Sequence, residues 1–393
     1  MKKLMILGAG VMQVPLIKVA KEMGVYTVVV GIRGDYPGLK YADKAVFVNF
    51  MDIPAVERIA REERIDGIFT CGLDMPVPTM AAISERLGLP GIPEATGRLV
   101  TDKGVMKDFF LDNGIRTAKY TIVQTEEEAR KAFLSFNGPA MFKAIDGQGS
   151  RGIIKVNSLS SVGGACAYVR ATTSEDHFIV EEYLDGVEFG AQAFVLNGKV
   201  QFVLPHGDYV YHANTGVPIG HYVPFEVGRE VESDLREQLQ KFAHAAHLGM
   251  CAINADFIFS KGRPYVLEIG ARCGATMLAE TVSLFYGFDY YEQMVHAALG
   301  ETADFSPRSP GVANATMTLK SERSGILKGF VDNNLPNDDI IEIHFDKKPG
   351  DEIRAFRLGI DRIGHVIVKG ESLAKAQTLL KEVVSKIKIE FAE

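Results

Sequence analysis

Two acidic residues flank a predicted β-hairpin in the second half of the chain. Asp256 lies in the apolar run before Lys261–Gly262, and Glu268 lies in the run that follows it. If Ser260 is opposite Pro264, the antiparallel register places Asp256 directly across from Glu268, with Cβ atoms about 5 Å apart. Like charges at that separation repel unless a cation lies between them, and paired carboxylates suit Mg²⁺. The spacing therefore predicts a metal site.

Arg272 lies four residues after the second acid, on the same predicted strand. A guanidinium at this place could stabilise negative charge on a reacting phosphoryl or acyl group. The next residues include Gly274, Ala275 and Thr276, whose small side chains leave backbone N–H groups available to a substrate carboxylate. Cys273 has no identifiable histidine partner, so we interpret it as a packing residue rather than a nucleophile.

A second candidate site follows Lys143. The lysine lies in an apolar run that leads into the glycine-rich segment 147–152, which contains Ser150 and Arg151. Such a loop can close over a polyphosphate, with the lysine as a point charge and the arginine as a forked donor. A plain hairpin with a solvated arginine accounts for the same pattern equally well.

An acidic strand end comes next. The apolar residues 178–180 run into Glu181 and Glu182, and Glu188 follows a short turn. Glu181 and the neighbouring backbone could accept hydrogen bonds from an adenine amino group, and Glu188 could accept from ribose hydroxyls. The alternative is a solvated acidic turn.

The elements that must position these residues change in type along the chain. Strands alternate with helices up to about residue 95, which predicts a doubly wound α/β domain with a parallel sheet. Its first turn, Gly8-Ala9-Gly10, lacks the third glycine of a dinucleotide fingerprint because Gln13 occupies that place, so we interpret it as a tight strand-to-helix turn. From Asp102 onward the pattern is mixed α+β. The apolar spacing at the C-terminus predicts a closing helix that contains Leu373, Leu380, Val383 and Ile387.

The order of these motifs resembles the ATP-grasp superfamily over nearly the whole chain, close to its biotin carboxylase, carboxyaminoimidazole ribonucleotide synthetase and amino-acid ligase branches. The resemblance implies a Rossmann-like domain over residues 1–95 and a two-lobed ATP-grasp domain over 96–305, with a lid lobe at about 110–185. A small C-terminal α+β domain over 306–393 would complete the site. ATP and Mg²⁺ (or Mn²⁺) would be the cofactors.

The resemblance also implies roles for individual residues. Asp256 and Glu268 would bind the metal, and Arg272 and Lys143 would act at the reacting centre. The residues implied in ATP binding are Lys103, Lys143, Gly149, Ser150, Glu181, Glu182, Leu184 and Glu188.

One position departs from the family pattern. Many members have an asparagine two residues after the second metal-binding acid, where this chain has Gly270. Water or bidentate coordination by Glu268 could replace the missing ligand. A module that binds ATP without turning it over becomes a more plausible alternative.

A histidine-rich and tyrosine-rich segment, 205–224, is the expected source of substrate specificity. In related enzymes the position of His221 holds a residue near the phosphates, so His221 is a candidate substrate-binding residue together with the loop 274–276. We interpret His206 and His212 as ordinary hydrogen-bonded histidines.

The resemblance implies a ligase that activates a carboxylate as an acyl phosphate and transfers it to an amine, giving an amide, ADP and phosphate. An amino acid is the favoured substrate on one side or both. Carboxylation through carboxyphosphate and a non-catalytic ATP-binding module are the alternatives. A nicotinamide oxidoreductase would explain only the first 30 residues.

The amino-acid composition argues against several classes of binding partner. The net charge of −7, from 43 basic and 50 acidic residues, argues against a general nucleic-acid binder. No apolar run reaches the ~18 residues that a membrane span requires. The four cysteines show no CxxC spacing, which argues against a zinc site or a disulfide framework and fits the cytoplasm. Small molecules are the expected partners, with a homodimer left open.

Overall fold

The first sheet is parallel and carries helices on its faces. The computed structural model describes residues 1–147, 152–212 and 216–392. Its first four strands are β1 (Lys3–Leu7), β2 (Tyr26–Gly31), β3 (Lys44–Phe47) and β4 (Gly67–Phe69). The accompanying helices are α1 (Val14–Glu22), α2 (Ile53–Glu63), α3 (Val77–Leu87), α4 (Glu94–Leu99) and α5 (Lys103–Asp112). The strands pair in the order β3-β2-β1-β4, all parallel, as the alternation of strands and helices predicts.

The turn after β1 is closed by a side chain of the protein itself. Gln13 is buried, and its Oε1 accepts a hydrogen bond of 2.8 Å from the Gly10 N–H. Its side-chain amide donates to the Cys71 carbonyl at the end of β4. Gly8 adopts φ +100°, which side chains rarely tolerate. The glycine pair therefore serves a tight strand-to-helix turn.

An antiparallel sheet of four strands forms a separate lobe with its own core. Its elements are β5 (Tyr120–Val123), α6 (Glu126–Ser135), β6 (Ala140–Ala144), β7 (Ile153–Val156), α7 (Val162–Arg170) and β8 (Phe178–Glu182). The strands pair in the order β5-β8-β6-β7, and α6 and α7 cover an apolar cluster that includes Phe142 and Phe178. Thr125 caps α6 through a capping box with Glu128.

The largest sheet has eight strands and continues past residue 305. The strands and helices between residues 187 and 298 are β9 (Val187–Leu196), β10 (Lys199–His212), β11 (Gly216–Val223), α8 (Arg229–Ala245), β12 (Met250–Ser260), β13 (Arg263–Gly270), α9 (Leu278–Tyr286) and α10 (Tyr290–Ala298). Beyond residue 305 lie β14 (Ala313–Leu319), β15 (Gly325–Asp332), β16 (Ile340–Phe345), β17 (Glu352–Ile353), β18 (Gly364–Gly370), α11 (Leu373–Ser385) and β19 (Ile387–Phe391). Of these strands, β15, β17 and β19 form a separate sheet in the order β17-β15-β19. The strand order is β13-β12-β9-β10-β11-β14-β18-β16. Pairing of β11 with β14 therefore joins strands on both sides of residue 305 in one sheet.

The C-terminal helix ends earlier than its apolar spacing predicts. Helix α11 stops at Ser385, and Ile387 begins β19, which pairs antiparallel with β15. The assignment of Ile387 to the closing helix is therefore wrong. Ile387, Ile389 and Phe391 alternate with charged residues, so the period changes from helical to strand-like within a few residues.

Among the described residues, no helix combines the length and hydropathy needed to cross a membrane.

Candidate active site

The two predicted metal-binding acids lie opposite each other in the hairpin of β12 and β13. Asp256 pairs with Glu268, as predicted, but the turn has another register: Ser260 pairs with Arg263 rather than with Pro264. The predicted Ser260–Pro264 pairing is therefore wrong by one residue. An irregularity next to Asp256 adds one residue on the β13 side and restores the pairing of the acids.

The electrostatics of this pair fit a divalent cation. Desolvation by the surrounding protein raises the pKa of the Asp256 carboxyl to about 7, with further contributions from the negative charges of Glu268 and Asp208. The two paired carboxylates repel each other unless a cation balances them. Asp256 and Glu268 thus supply a donor set that suits Mg²⁺.

Lys103 reaches the acid pair from the start of α5. Asp102 caps this helix by accepting hydrogen bonds from two backbone N–H groups, which fixes the lysine in the first turn. The Lys103 Nζ lies 2.9 Å from Glu268 Oε1 and 2.9 Å from the Gly147 carbonyl oxygen, at the edge of the glycine-rich loop. One ammonium group therefore links the acid pair to this loop.

Lys143 is held by a buried carboxylate. Glu181 is 1% exposed and forms ion pairs with both Lys143 and Lys107. Lys143 and Glu181 lie on adjacent antiparallel strands, β6 and β8, where diagonal neighbours on one face meet. Burial would raise the pKa of Glu181, but the two ammonium groups lower it below its usual value. The Glu181 carboxylate is thus engaged by two lysines, and an adenine-binding role for Glu181 and the backbone around Glu182 stays a prediction.

Lys107 was missed by the sequence analysis. It lies one helical turn after Lys103 on α5, so the spacing of four residues was the available signal. Burial lowers its pKa, and the neighbouring Glu181 counters this effect.

Arg272 is bound by an acid of the N-terminal domain. Its Nε and one terminal nitrogen lie 2.8 and 2.9 Å from the two carboxylate oxygens of Asp74, a bidentate pair. A Cβ added at Gly270 would lie 3.1 Å from Asp74 Oδ1, so this carboxylate lies close to the position that lacks the family's asparagine. Asp74 was also missed. It follows β4, and the carboxyl ends of parallel strands are where such sheets bind ligands, which was the available signal.

His221 belongs to a buried cluster that the sequence analysis did not predict. Asp208 Oδ1 lies 2.5 Å from His221 Nδ1 and 2.9 Å from His206 Nδ1, and both histidines are at most 3% exposed. Asp208 pairs with His221 across β10 and β11. The interpretation of His206 as an ordinary histidine overlooked Asp208, which lies two residues further along the same strand and therefore on the same face.

The loop after Arg272 contacts two other parts of the molecule. The Gly274 N–H donates to Gln192 Oε1 over 2.9 Å, and the Thr276 N–H lies 3.4 Å from the Met12 sulfur. Thr276 has φ +57° and Ala275 is partly exposed. The loop thus lies between the first sheet and the large sheet.

The remaining predicted nucleotide-binding residues differ in their solvent exposure. Glu182 is half-buried and accepts a hydrogen bond of 3.1 Å from the Lys119 N–H, Leu184 is buried, and Glu188 is exposed at the start of β9. Gly149 and Ser150 lie outside the described residues. The nucleotide roles of all these residues stay predictions.

The fold and the site define a class of enzyme. The model for the phosphoribosylglycinamide synthetase ATP-grasp (A) domain matches residues 101–276, that for the ATP-grasp N-terminal domain matches 17–91, and that for L-amino acid ligase C-terminal domain 2 matches 317–392. The chain belongs to the ATP-grasp superfamily of carbon–nitrogen bond-forming ligases, which use ATP and Mg²⁺.

Particular members are similar over the whole chain. A phosphoribosylglycinamide synthetase from Anaerococcus prevotii is 34% identical, with 100% of both chains covered and a TM-score of 0.87. An L-amino acid ligase from Bacillus licheniformis shares the fold at 17% identity, with coverage of 100% and 99% and a TM-score of 0.82. A formate-dependent phosphoribosylglycinamide formyltransferase from Methanococcus maripaludis is 25% identical over 401 residues, which cover 97% of this chain and 94% of that protein.

Proposed function

We propose that this ligase joins a small-molecule carboxylate to an amine through an acyl phosphate and releases ADP and phosphate. The observation that carries the proposal is the pairing of Asp256 with Glu268, with Lys103 bonded to the second acid. Such a site neutralises charge on a transferring phosphoryl group, which is what carboxylate activation by ATP requires.

In the first half of the reaction, a carboxylate oxygen attacks the γ-phosphorus of ATP. In this proposal phosphate oxygens are bound by Lys103, whose Nζ contacts the Gly147 carbonyl, and by Lys143, which lies on the strand before the glycine-rich segment. Bound Mg²⁺ supplies Lewis-acid neutralisation at the carboxylate pair. Arg272, fixed by Asp74, stabilises the charge that develops on the transferred group.

In the second half, the amine attacks the carbonyl carbon of the acyl phosphate, and phosphate leaves. The C-terminal match to an L-amino acid ligase domain supports an amino acid as one substrate. The similarity to a phosphoribosylglycinamide synthetase supports an amine as the acceptor.

One screen tests the function. Phosphate release from ATP and Mg²⁺ is measured with single and paired amino acids and with other small acids, and hydroxylamine is added to trap an acyl phosphate as a hydroxamate. We expect a hydroxamate with the cognate carboxylate. Phosphate release without any hydroxamate in every mixture would argue against acyl-phosphate chemistry.

Carboxylation through carboxyphosphate is the second candidate. A biotin carboxylase from Campylobacter jejuni shares this fold at 18% identity with a TM-score of 0.79. Strict dependence of ADP formation on bicarbonate would favour this reaction over amide formation.

We also propose a cytoplasmic location and a homodimer. The four cysteines are buried free thiols, which fits a reducing compartment. A related biotin carboxylase domain from Hydrogenobacter thermophilus is described as a dimer. Light scattering on the purified chain would report a monomer mass if the dimer proposal is wrong.

A further inference from the structure

A chain of hydrogen bonds crosses the large sheet beside the acid pair. It begins where Gln192 Oε1 accepts from the Gly274 N–H. Because the amide oxygen is used there, Gln192 Nε2 donates, and it lies 2.6 Å from Asn254 Oδ1 and 3.3 Å from His206 Nε2. His206 Nε2 therefore accepts a hydrogen bond, and the proton of this imidazole is on Nδ1.

Asp208 continues the chain to the second histidine. Burial would raise the pKa of Asp208, but His221 and His206 lower it well below its usual range, so the carboxylate is ionised and only accepts. Both Nδ1 atoms therefore carry hydrogens, and the free ring nitrogen of His221 is Nε2. This atom is buried and has no hydrogen-bond partner among the described residues. A buried nitrogen without a partner is costly, so the open end of the chain indicates a ligand group.

The cluster lies on the same face of the sheet as the acid pair. Gly190 on β9 pairs with Asp256 on one side and with His206 on the other. Because Gly190 has no side chain, the imidazole of His206 leans over it, and a Cβ at this position would lie 2.1 Å from His206 Cε1. The negative charge of Asp208 also acts on Asp256. The histidines thus lie on the face of the sheet that carries the proposed metal-binding acids.

We propose that His221 is the catalytic base that accepts a proton from the amine substrate, with Asp208, His206 and Gln192 as positioning residues. This inference rests on the proposed amide ligation and assigns its second half to a named atom, His221 Nε2. The same arrangement, with an aspartate that fixes the Nδ1–H tautomer and stabilises the imidazolium, serves general-base catalysis in hydrolases.

The proton balance of the step is complete. The ammonium substrate transfers one proton to His221 Nε2, which leaves a neutral amine and an imidazolium paired with Asp208. The amine lone pair then attacks the carbonyl carbon of the acyl phosphate, the C–N bond forms and the C–O bond to phosphate breaks. The departing phosphate takes the electron pair and the second amine proton, and the imidazolium returns its proton to solvent.

A transition metal is the competing occupant, since the three side chains bring their ligand atoms within 4.8 Å of one another. Metal binding through both Nδ1 atoms would move the proton of His206 to Nε2. That N–H would then face the N–H of Gln192, which is fixed by Gly274. The hydrogen-bond network therefore favours protons over a metal.

The test compares two nucleophiles in one enzyme. Amino-acid amines are protonated near neutral pH and need a base, whereas hydroxylamine is largely neutral and does not. We expect His221→Gln to lower amide formation by about a hundredfold and hydroxamate formation by less than about fivefold. Asp208→Asn should also lower the ratio of amide to hydroxamate, by about tenfold. This variant serves as the test if His221→Gln fails to fold.

His212→Gln is the matched control, because His212 is an exposed histidine near the end of the same strand as Asp208. It should keep the wild-type ratio. Equal loss of both products in His221→Gln and Asp208→Asn would overturn the base assignment. So would a stoichiometric transition metal in the purified wild-type protein that both variants lose. A wild-type enzyme that forms no hydroxamate with any carboxylate would instead overturn the proposed function itself.

Discussion

Glu181 is the residue on which two buried cations depend. Its carboxylate, 1% exposed, is paired with Lys107 and Lys143. We expect Glu181→Gln to lower the free energy of unfolding by about 3–5 kcal/mol, because it leaves two ammonium groups without a counter-charge. Denaturant unfolding would measure the change. The neighbouring variant Glu182→Gln, at a half-buried position, should cost less than about 1 kcal/mol, and an equal loss in both variants would contradict the assignment.

Glu268 is the residue whose change tests the metal site most directly. Glu268→Gln keeps the size of the side chain but removes the charge that faces Asp256 and binds Lys103. We expect loss of ATP turnover by at least about a hundredfold, measured as phosphate release. Exposed Glu322, changed to Gln, provides the control and should keep normal turnover. A near-normal rate in Glu268→Gln would remove the metal assignment.

The residues that sequence reasoning found and those it missed differ in what positions them. The pairing of Asp256 with Glu268 was predicted from a three-residue turn and regular strand alternation. The observed turn has two residues and would place Leu267 opposite Asp256, so the pairing of the acids needs an irregularity that no local pattern indicated. Asp74 was missed because its partner Arg272 is distant in sequence and gives no signal until the two sheets are placed together. Asp208 had a local signal in His206, two residues before it on β10, but its contact with His221 needs the pairing of β10 with β11.

At the scale of the element, we expect the hairpin of β12 and β13 to make stability depend on pH and Mg²⁺. The pKa of Asp256 is raised to about 7, so between pH 4 and 7 the folded chain holds a proton that the unfolded chain has lost. The contribution of this group to stability therefore falls as pH rises through that window. At low pH Mg²⁺ must displace the proton of the Asp256 carboxyl in order to bind, whereas at high pH this carboxyl is already ionised.

We therefore expect Mg²⁺ to raise the melting temperature by roughly 2–4 °C more at about pH 8 than at about pH 6, as measured by thermal unfolding. Asp256→Asn should abolish this difference and stabilise the metal-free protein at the higher pH, since it removes the repulsion. Identical Mg²⁺ shifts at both pH values in the wild type would contradict the role of Asp256.

Strand β9 provides a second element-scale prediction. Gly190→Ala would place a methyl group 2.1 Å from His206 Cε1, so the imidazole must move. We expect a loss of about 1–3 kcal/mol in unfolding free energy and a fall in turnover. Gly329→Ala on β15 is the control, because a Cβ there has no heavy atom within 4 Å. Equal changes in unfolding free energy and turnover in the two variants would show that the His206 imidazole does not pack over Gly190.

At the scale of the whole molecule, the bidentate ion pair of Asp74 and Arg272 connects the parallel sheet to the large eight-stranded sheet. We expect Asp74→Asn to lower kcat by about tenfold or more and to change the KM for ATP by less than about threefold, because Arg272 loses its orientation while Lys103 and Lys143, the proposed phosphate-binding lysines, stay in place. Steady-state kinetics measure both constants. Asp35→Asn, at an exposed position of the same domain, should change neither, and a large rise in KM alone would argue against an orienting role.

The general architecture was predictable from the order of strands and helices and from the resemblance to ATP-grasp ligases. The course of the C-terminal part was not. Ile387 continues the helical spacing of α11, and only its pairing with β15 shows that the helix has ended. The pairing between β11 and β14 could not be predicted either, because no local sequence pattern in either strand indicates which strand it pairs with.

That last pairing limits how the enzyme can be re-engineered. A chimera that grafts the C-terminal region of another ligase after residue 305 would replace the strand next to His221, with its contacts at Tyr222–Ala315 and Val223–Asn314. The graft would succeed only if the donor segment supplies the same hydrogen-bonding register, since a slip of one residue turns every side chain of β14 to the opposite face. Substrate choice and sheet integrity would therefore be exchanged together in any such design.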